Sequence, residues 1–287
     1  LRAWKISSGS VSVEIHKVAY GSKITQNFVK GNGENQDRGM DVSSKTVTYQ
    51  PVCDIAIISC SPTQITFGVS KQLLGTDKGD VEDMAQKTGA LVAVNGEATD
   101  EYATDHSTIR SGKVYVTSTS IRHSPFVRMY RNGTWNTGDI DYTNQDQLIK
   151  DGVYNSVRHQ GTPLWDGKLT GTNDDTYYHN RTMLAQISAN KYILAVGEFM
   201  PIASMASLLK AYGAKNAILL NGGNCSFMYA KGVGNVTGTK ASLLKNLNKI
   251  NVVETEFFAS NGMLGLNSSG KQKLGGPDEE IDIVYVK

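Results

Sequence analysis

Residues 80–96 read Asp80-Val-Glu-Asp-Met-Ala-Gln-Lys-Thr-Gly-Ala-Leu-Val-Ala-Val-Asn-Gly96. Val81, Met84 and Ala85 fall at i, i+3 and i+4, the apolar face of a short helix. Asp80 stands where an N-cap belongs, Asp83 follows three positions on, and Gly89 supplies the stop. The strand that follows at once, Ala90 to Val94, has no polar face, as in a sheet covered on both sides. Asn95-Gly96 ends it in a turn. The same order recurs downstream. Met205, Leu208, Leu209 and Tyr212 mark a helix face, Gly213-Ala214 ends it, Ala217 to Leu220 is a buried strand, and Asn221-Gly222-Gly223 closes the unit. From glycine to asparagine is six residues in the first unit and eight in the second. A difference of two keeps side chains on the same face of a sheet, so both Asn-Gly turns are expected to open on one side. There, glycine-rich turns beyond strand ends can offer backbone N–H groups to an anion. The plainer alternative is two ordinary strand-ending turns. The expected fold is a mixed α/β (α+β) domain spanning residues 1–287. It has a central twisted mixed sheet with a few covering helices, built around these two helix, strand, Asn-Gly units.

Outward from this core the chain reads mainly as sheet. Residues 11–18, 46–49, 54–59 and 65–69 are expected strands, and no Pro- or Ser-rich linker separates them from the rest. Residues 110–130 predict two strand pairs with turns at Ser111-Gly112 and Asn132-Gly133, and the polar stretch from Thr134 to Asn180 reads as loops over the sheet. Within it, Asp139, Asp141, Asn144 and Asp146 could ring a calcium ion, although the EF-hand glycine and distal glutamate are missing and a solvated loop is the simpler reading. Trp165 could offer a sugar an aromatic face or pack beneath its own loop. With 287 residues, 39% hydrophobic, and a net charge of +2, the chain can bury a large core without metals or disulfides. No basic stripe suits nucleic acid, and no apolar run is long enough to insert in a membrane. Leu1 to Lys5 lacks the apolar segment of a signal peptide. Cys53, Cys60 and Cys225 lack metal-ligand spacing; Cys53 and Cys60 flank a strand and could pair, so the compartment stays open.

The segment from His179 to Met228 strings together His-Asn-Arg-Thr (179–182), a strand pair around Tyr192 to Val196, a helix through Leu209, Tyr212-Gly213-Ala214, and Leu-Asn-Gly-Gly-Asn-Cys-Ser (220–226). In this order it resembles the core of the phosphodiester glycosidases. Gly89-Ala90 through Val94-Asn95-Gly96, the glycine turn within Ile109 to Val114, and the closing Glu280 to Val286 are similar to further family segments. The resemblance covers roughly residues 80–287 and is most specific over 179–228. This chain departs from the family at named positions. Asn221 stands for an aspartate and Asn224 for a glycine in Leu-Asp-Gly-Gly-Gly-Ser. Asn95-Gly96-Glu97-Ala98 replaces Asn-Gly-Gly-Phe, and Glu279-Glu280 replaces Glu-Arg. An asparagine can orient a ligand, but it neither takes a proton at neutral pH nor acts as a nucleophile.

The resemblance implies hydrolysis of a sugar-1-phosphodiester in an exported or envelope-related glycoconjugate, in an extracellular, cell-surface or virion setting, with no required cofactor. A phosphodiester anion is a weak base and leaves unprotonated, so the burden falls on a cationic clamp and a carboxylate. Arg181, in the family's Arg-Thr motif, is the expected clamp, supplemented by the amides of Gly222 and Gly223, with Asn95, His179 and Arg110 as further phosphate or sugar contacts. An ordinary ion-paired arginine is its structural alternative. Glu198, after the strand end Ala195-Val196-Gly197, and Glu97, after Asn95-Gly96, are the expected carboxylates beside Asn221. Asp100, Glu101 and Asp105 follow in the same loop, and each acid alone also reads as a solvated loop residue. A second class of function is a degenerate member that binds phosphorylated glycan without cutting it, such as a surface or phage-tail adhesion module; Asn221 favours it. A purely structural domain is the third, and it requires the two Asn-Gly turns to lie at opposite ends of the sheet.

Overall fold

The computed structural model describes residues 2–19, 21, 24–28, 45–49, 51–97, 108–116, 126–140, 142–171, 179–222, 226–236 and 282–287. Strands β1 (Arg2–Ser8), β2 (Val11–Ala19), β3 (Ile24–Phe28), β4 (Lys45–Tyr49), β5 (Val52–Ser59) and β6 (Thr66–Val69) precede helices α1 (Ser70–Leu73) and α2 (Val81–Thr88). Then come β7 (Val92–Asn95), β8 (Thr108–Arg110), β9 (Lys113–Val116), β10 (Phe126–Tyr130), β11 (Trp135–Thr137), helix α3 (Gln145–Lys150) and β12 (Val153–Arg158). The chain continues through β13 (Gly161–Trp165), β14 (Lys168–Leu169), β15 (His179–Ser188), β16 (Lys191–Met200), helix α4 (Ile202–Ala211) and β17 (Asn216–Leu219). Strands β18 (Met228–Ala230), β19 (Gly234–Asn235) and β20 (Asp282–Val286) complete it.

Two sheets face each other. One has eight strands in the order β1-β2-β5-β16-β15-β17-β13-β14, and the other has five in the order β19-β18-β7-β20-β6. Alternation along the strands builds three core layers. Tyr192, Leu194 and Val196 of β16 meet Val92 and Val94 of β7 and Val284 of β20 between the sheets. On the outer face of the larger sheet, Ile193 and Ala195 pack under Ile202, Met205 and Leu209 of α4. On the outer face of the smaller one, Ala93 and Ile283 pack under Val81, Met84 and Ala85 of α2. Strands β7 and β17 therefore have no solvent face, which is why their sequences show no polar alternation.

The expected helices and their glycine stops are present; Gly89 caps α2 in the left-handed region at φ 71°, where a side chain would be strained. Two features of the expected sheet are corrected. The two strands that end in Asn-Gly lie in different sheets, and every pairing among the described strands is antiparallel. The cause is insertion. Helix α4 links β16 to β17, but β15 lies between them; α2 links β6 to β7, but β20 lies between them. Each crossover joins parallel strands that never touch.

The stretch 134–180 is also more structured than its polarity suggests, holding β11, α3 and β12 to β14. These short strands lie toward sheet edges or in the three-stranded sheet β11-β10-β12, where one face stays wet and polar residues are tolerated. The expected turns are found at Ser111-Gly112, with φ 53° and 73°, and at Asn132-Gly133, where Gly133 N–H returns to Tyr130 O at 2.9 Å. Trp165 lies in β13, partly buried against the core between the sheets. Cys53 and Cys60 are free and buried. They stand at opposite ends of one extended strand, and at ~3.3 Å of rise per residue they are far beyond the reach of a disulfide. Among the described residues no group of three or more His, Cys, Asp or Glu side chains is placed to hold a metal ion; Asp141 lies outside them. Asp139 instead accepts from Asn144 Nδ2 at 3.2 Å through its backbone carbonyl.

Candidate functional site

The two Asn-Gly turns meet. Asn95 Nδ2 donates to the carbonyl of Asn221 at 2.8 Å, and the N–H of Asn221 donates to the carbonyl of Gly96 at 3.1 Å. The facing of the sheets causes this, because β7 and β17 run to the same end of the sandwich. Asn95 is fully buried, and its Oδ1 accepts from Thr182 Oγ1 at 2.7 Å and from the N–H of Phe227 at 3.2 Å. One amide thus joins β7, β15, the Asn221 turn and the segment entering β18. Asn221 turns its Oδ1 back to the N–H of Gly222 at 3.0 Å, a turn-forming use of the side chain. Gly223 and Asp100, Glu101 and Asp105 lie outside the described residues, as does the side chain of His179.

Beneath the Gly96 turn lies a buried charge network. Arg110 Nη2 contacts Glu97 Oε1 at 2.6 Å and Asp282 Oδ2 at 3.3 Å, and all three side chains are buried. The Arg110 guanidinium also lies 4.7 Å from the centre of the Phe67 ring and donates to the carbonyl of Ser156. Asp282 Oδ1 accepts the N–H of Glu97 at 2.8 Å, and the N–H of Gly96 donates to the Asp282 carbonyl at 3.0 Å. Arg110 therefore spends Nη2 on two carboxylates, and Glu97 is held by that cation and by the N–H of Arg158 at 2.9 Å. Close approach explains Gly96: a Cβ there would fall 1.8 Å from Asp282 Oδ1 and 2.9 Å from the Asp282 carbonyl oxygen. Gly96→Ala is expected to lose about 1–3 kcal/mol, the usual range for overpacking. A denaturant midpoint equal to the parent's would contradict this.

Glu198 leads to a second charge cluster at the same end. Lys17 Nζ lies 3.1 Å from Asp54 Oδ2 and 3.5 Å from Glu198 Oε1. Lys17 sits opposite Asp54, Asp54 opposite Val196, and Val196 opposite Thr182. This row crosses the inner face of the larger sheet toward Asn95. Burial pushes the Asp54 carboxyl up to about 7; Lys17 pulls against that shift and the Glu198 charge adds to it. For Lys17 burial works against the ammonium, but Asp54 and Glu198 outweigh it and hold its pKa above the usual lysine range.

Arg181 stands apart from these groups. It pairs with Gly197 on the face of Met183 and Ala185, which pack under α4, while Thr182 faces the other way. A cavity of about 490 Å³ lined by Ser10, Ser59, Cys60, Ser61, Gln64 and Asn190 opens at the opposite end of the sandwich, and its lining has no charged side chain to clamp a phosphate.

Sequence reading gave no role to Lys17, Asp54, Thr182, Asp282 and His159. A signal existed for four of them. Lys17 continues the apolar register of Val11, Val13 and Ile15; Asp54 and Asp282 each interrupt an apolar run; Thr182 keeps step with Leu184. A polar side chain at an inward position needs a buried partner.

Such a sandwich, with two crossing helices and polar turns joined at one end, defines a site-bearing mixed α/β domain. A family model for phosphodiester glycosidases matches residues 88–253, and the chain belongs to that family. Among solved structures it is similar to the catalytic domain of zebrafish N-acetylglucosamine-1-phosphodiester alpha-N-acetylglucosaminidase, auto-inhibited by its pro-peptide. That match has 16% identity and a TM-score of 0.61 and covers 99% of this chain and 87% of that one. It is also similar to a putative exported protein of Burkholderia pseudomallei, with 8% identity and a TM-score of 0.50, covering 99% of this chain and 96% of the other. At these identities the likeness speaks for the fold. A comparison with curated proteins gives no match.

Proposed function

We propose that this chain hydrolyses a sugar-1-phosphodiester at the end of the sandwich where the Asn95 and Asn221 turns join. The observation that carries the reading is the direct bonding of the two turns, 2.8 Å from Asn95 Nδ2 to the Asn221 carbonyl. A purely structural domain has no need to bring them together. Glu198, with Lys17 beside it, is the carboxylate suited to activate water or attack the anomeric carbon, and the phosphate leaves with the bonding electron pair. Glu97, tied to Arg110 and Asp282, serves better as a support of the turn than as that base. Arg181 would reach the phosphate around the strand end, with the Gly222 amide beside it. Among the described residues no helix is long and apolar enough to cross a membrane; the glycoconjugate is proposed to lie outside the cell, on its surface or on a virion.

A second reading, binding without cleavage, is favoured by Asn221, whose amide cannot supply the proton chemistry of a carboxylate. Release of free reducing sugar from an N-acetylglucosamine-1-phosphate diester separates the two. The expected result is turnover in the parent and a loss of roughly 100-fold or more in Arg181→Ala, as for removal of one charge-stabilising donor. Silence in the parent with activity gained in Asn221→Asp would instead establish the binding reading.

A further inference from the structure

Two buried side chains beside the joined turns carry polar atoms that nothing among the described residues satisfies. Glu97 Oε2 has no hydrogen-bond partner there, and the ring nitrogens of His159 have none beyond a loose approach to the Gly161 backbone. Glu97 is 0% exposed and His159 7%. Backbone bonds tie them to one place. The N–H of Arg158 donates to Glu97 Oε1 at 2.9 Å, and the N–H of Gln160 donates to the carbonyl of Leu219 at 2.9 Å. His159 is thus held between the Glu97 turn and the strand that runs into Asn221. Continuing the alternation of β12 puts it on the face of Val157, which packs into the core between the sheets. An unmatched buried polar atom is costly to a fold, and the Glu97 oxygen together with the His159 ring beside the joined turns points to a ligand that completes them.

We propose that His159 and the unpartnered oxygen of Glu97 form a subsite for the uncharged part of a sugar, its hydroxyls or an acetamido group. The sugar-phosphodiester reading above supplies the identity of the ligand; the subsite itself rests on the unmatched atoms. Donor and acceptor counting favours this class. A neutral imidazole offers one donor and one acceptor, and a carboxylate oxygen only accepts. Burial pushes His159 down to about 4, with the Gly161 backbone pulling weakly the other way, so the ring is neutral at physiological pH. Hydroxyl and amide groups both donate and accept and can match the carboxylate oxygen and the imidazole alike. A phosphate, which carries charge and mostly accepts, would be repelled by Glu97 and would find one donor.

The test is binding, which does not require turnover. The full chain is titrated with N-acetylglucosamine 1-phosphate and, separately, with inorganic phosphate, in the parent and in His159→Phe. The ring nitrogens of His159 are followed by nitrogen-15 NMR. The expected result is a roughly tenfold or greater loss of affinity for the sugar phosphate in His159→Phe, with phosphate affinity unchanged and with parent His159 signals that move with the sugar phosphate only. The variant is expected to melt no lower than the parent, because it removes unpaired polar atoms without leaving a void. Equal sugar-phosphate affinity in a folded His159→Phe, or His159 signals unmoved at saturation, overturns the subsite and leaves a structural water as the partner. No binding of either ligand overturns it as well. Binding with the expected His159 response but without sugar release from the diester, in the parent and in Asn221→Asp, overturns hydrolysis and leaves the subsite standing.

Discussion

Arg110→Met is expected to destabilise the fold by about 3–5 kcal/mol, the range for removing one partner of a buried ion pair, read as a fall in the denaturant midpoint at unchanged slope. The reason is geometric. The guanidinium is the cation facing two fully buried carboxylates, Glu97 at 2.6 Å and Asp282 at 3.3 Å, and methionine matches its stem without its charge. Each acid keeps a backbone N–H: Arg158 for Glu97 and Glu97 itself for Asp282. Neither bond neutralises a charge. A double-mutant cycle with Glu97→Gln separates this from lost packing over Phe67. Once the Glu97 charge is gone, removing Arg110 should cost less, with a coupling of about 0.5–3 kcal/mol for groups in direct contact. Zero coupling would mean that Arg110 acts through packing alone. Because the network holds Gly96 and therefore the Asn221 turn, a folded Arg110→Met protein should also lose sugar-phosphate affinity.

Much of this architecture was legible in the sequence because it is written in local period. The helix around Met84, the two-sided strand Ala90 to Val94 and the turn after it follow from apolar spacing and from Gly89. The second unit follows in the same way from Met205 to Asn221. Which sheet each strand joins was not legible, since β15 and β20 insert between strands that the helices connect, and their partners lie far away in sequence. The two turns meet for a reason that local period does not carry: two sheets end together and Asn95 bonds across the gap. Site residues divide along the same line. Asn95, Glu97 and Asn221 stand out beside a turn, whereas Lys17, Asp54 and Asp282 are single charges in apolar strands, visible only once their register against a neighbour is known. Arg110, read as a phosphate or sugar contact, and Glu97, read as a catalytic carboxylate, contact each other.

Lys17→Met is expected to cost about 3–5 kcal/mol at pH 8–9 and distinctly less at pH 5. In the parent, the Asp54 carboxyl is pushed from the usual carboxylate range up to about 7, so the folded chain holds a proton that the unfolded chain releases. For this group alone, stability falls as pH rises from about 4 to 7. Lys17 limits that fall by pulling the Asp54 pKa down. Its own raised pKa contributes stability that is fully present below the unfolded lysine value of about 10.4 and is lost as pH climbs through the folded value. Without Lys17 the Asp54 pKa rises further, and above pH 7 the variant must either keep a proton that solution no longer favours or bury an unpaired charge next to Glu198. Below pH 5 Asp54 is protonated in both proteins, and what is lost reduces to the contact with Glu198 and the packing of the lysine stem. The measurement is the difference in unfolding free energy between parent and variant at pH 5, 7 and 9. A difference that stays constant across that range would show that the Asp54 carboxyl does not titrate between pH 5 and 9, and that Lys17 acts on stability without linkage to it.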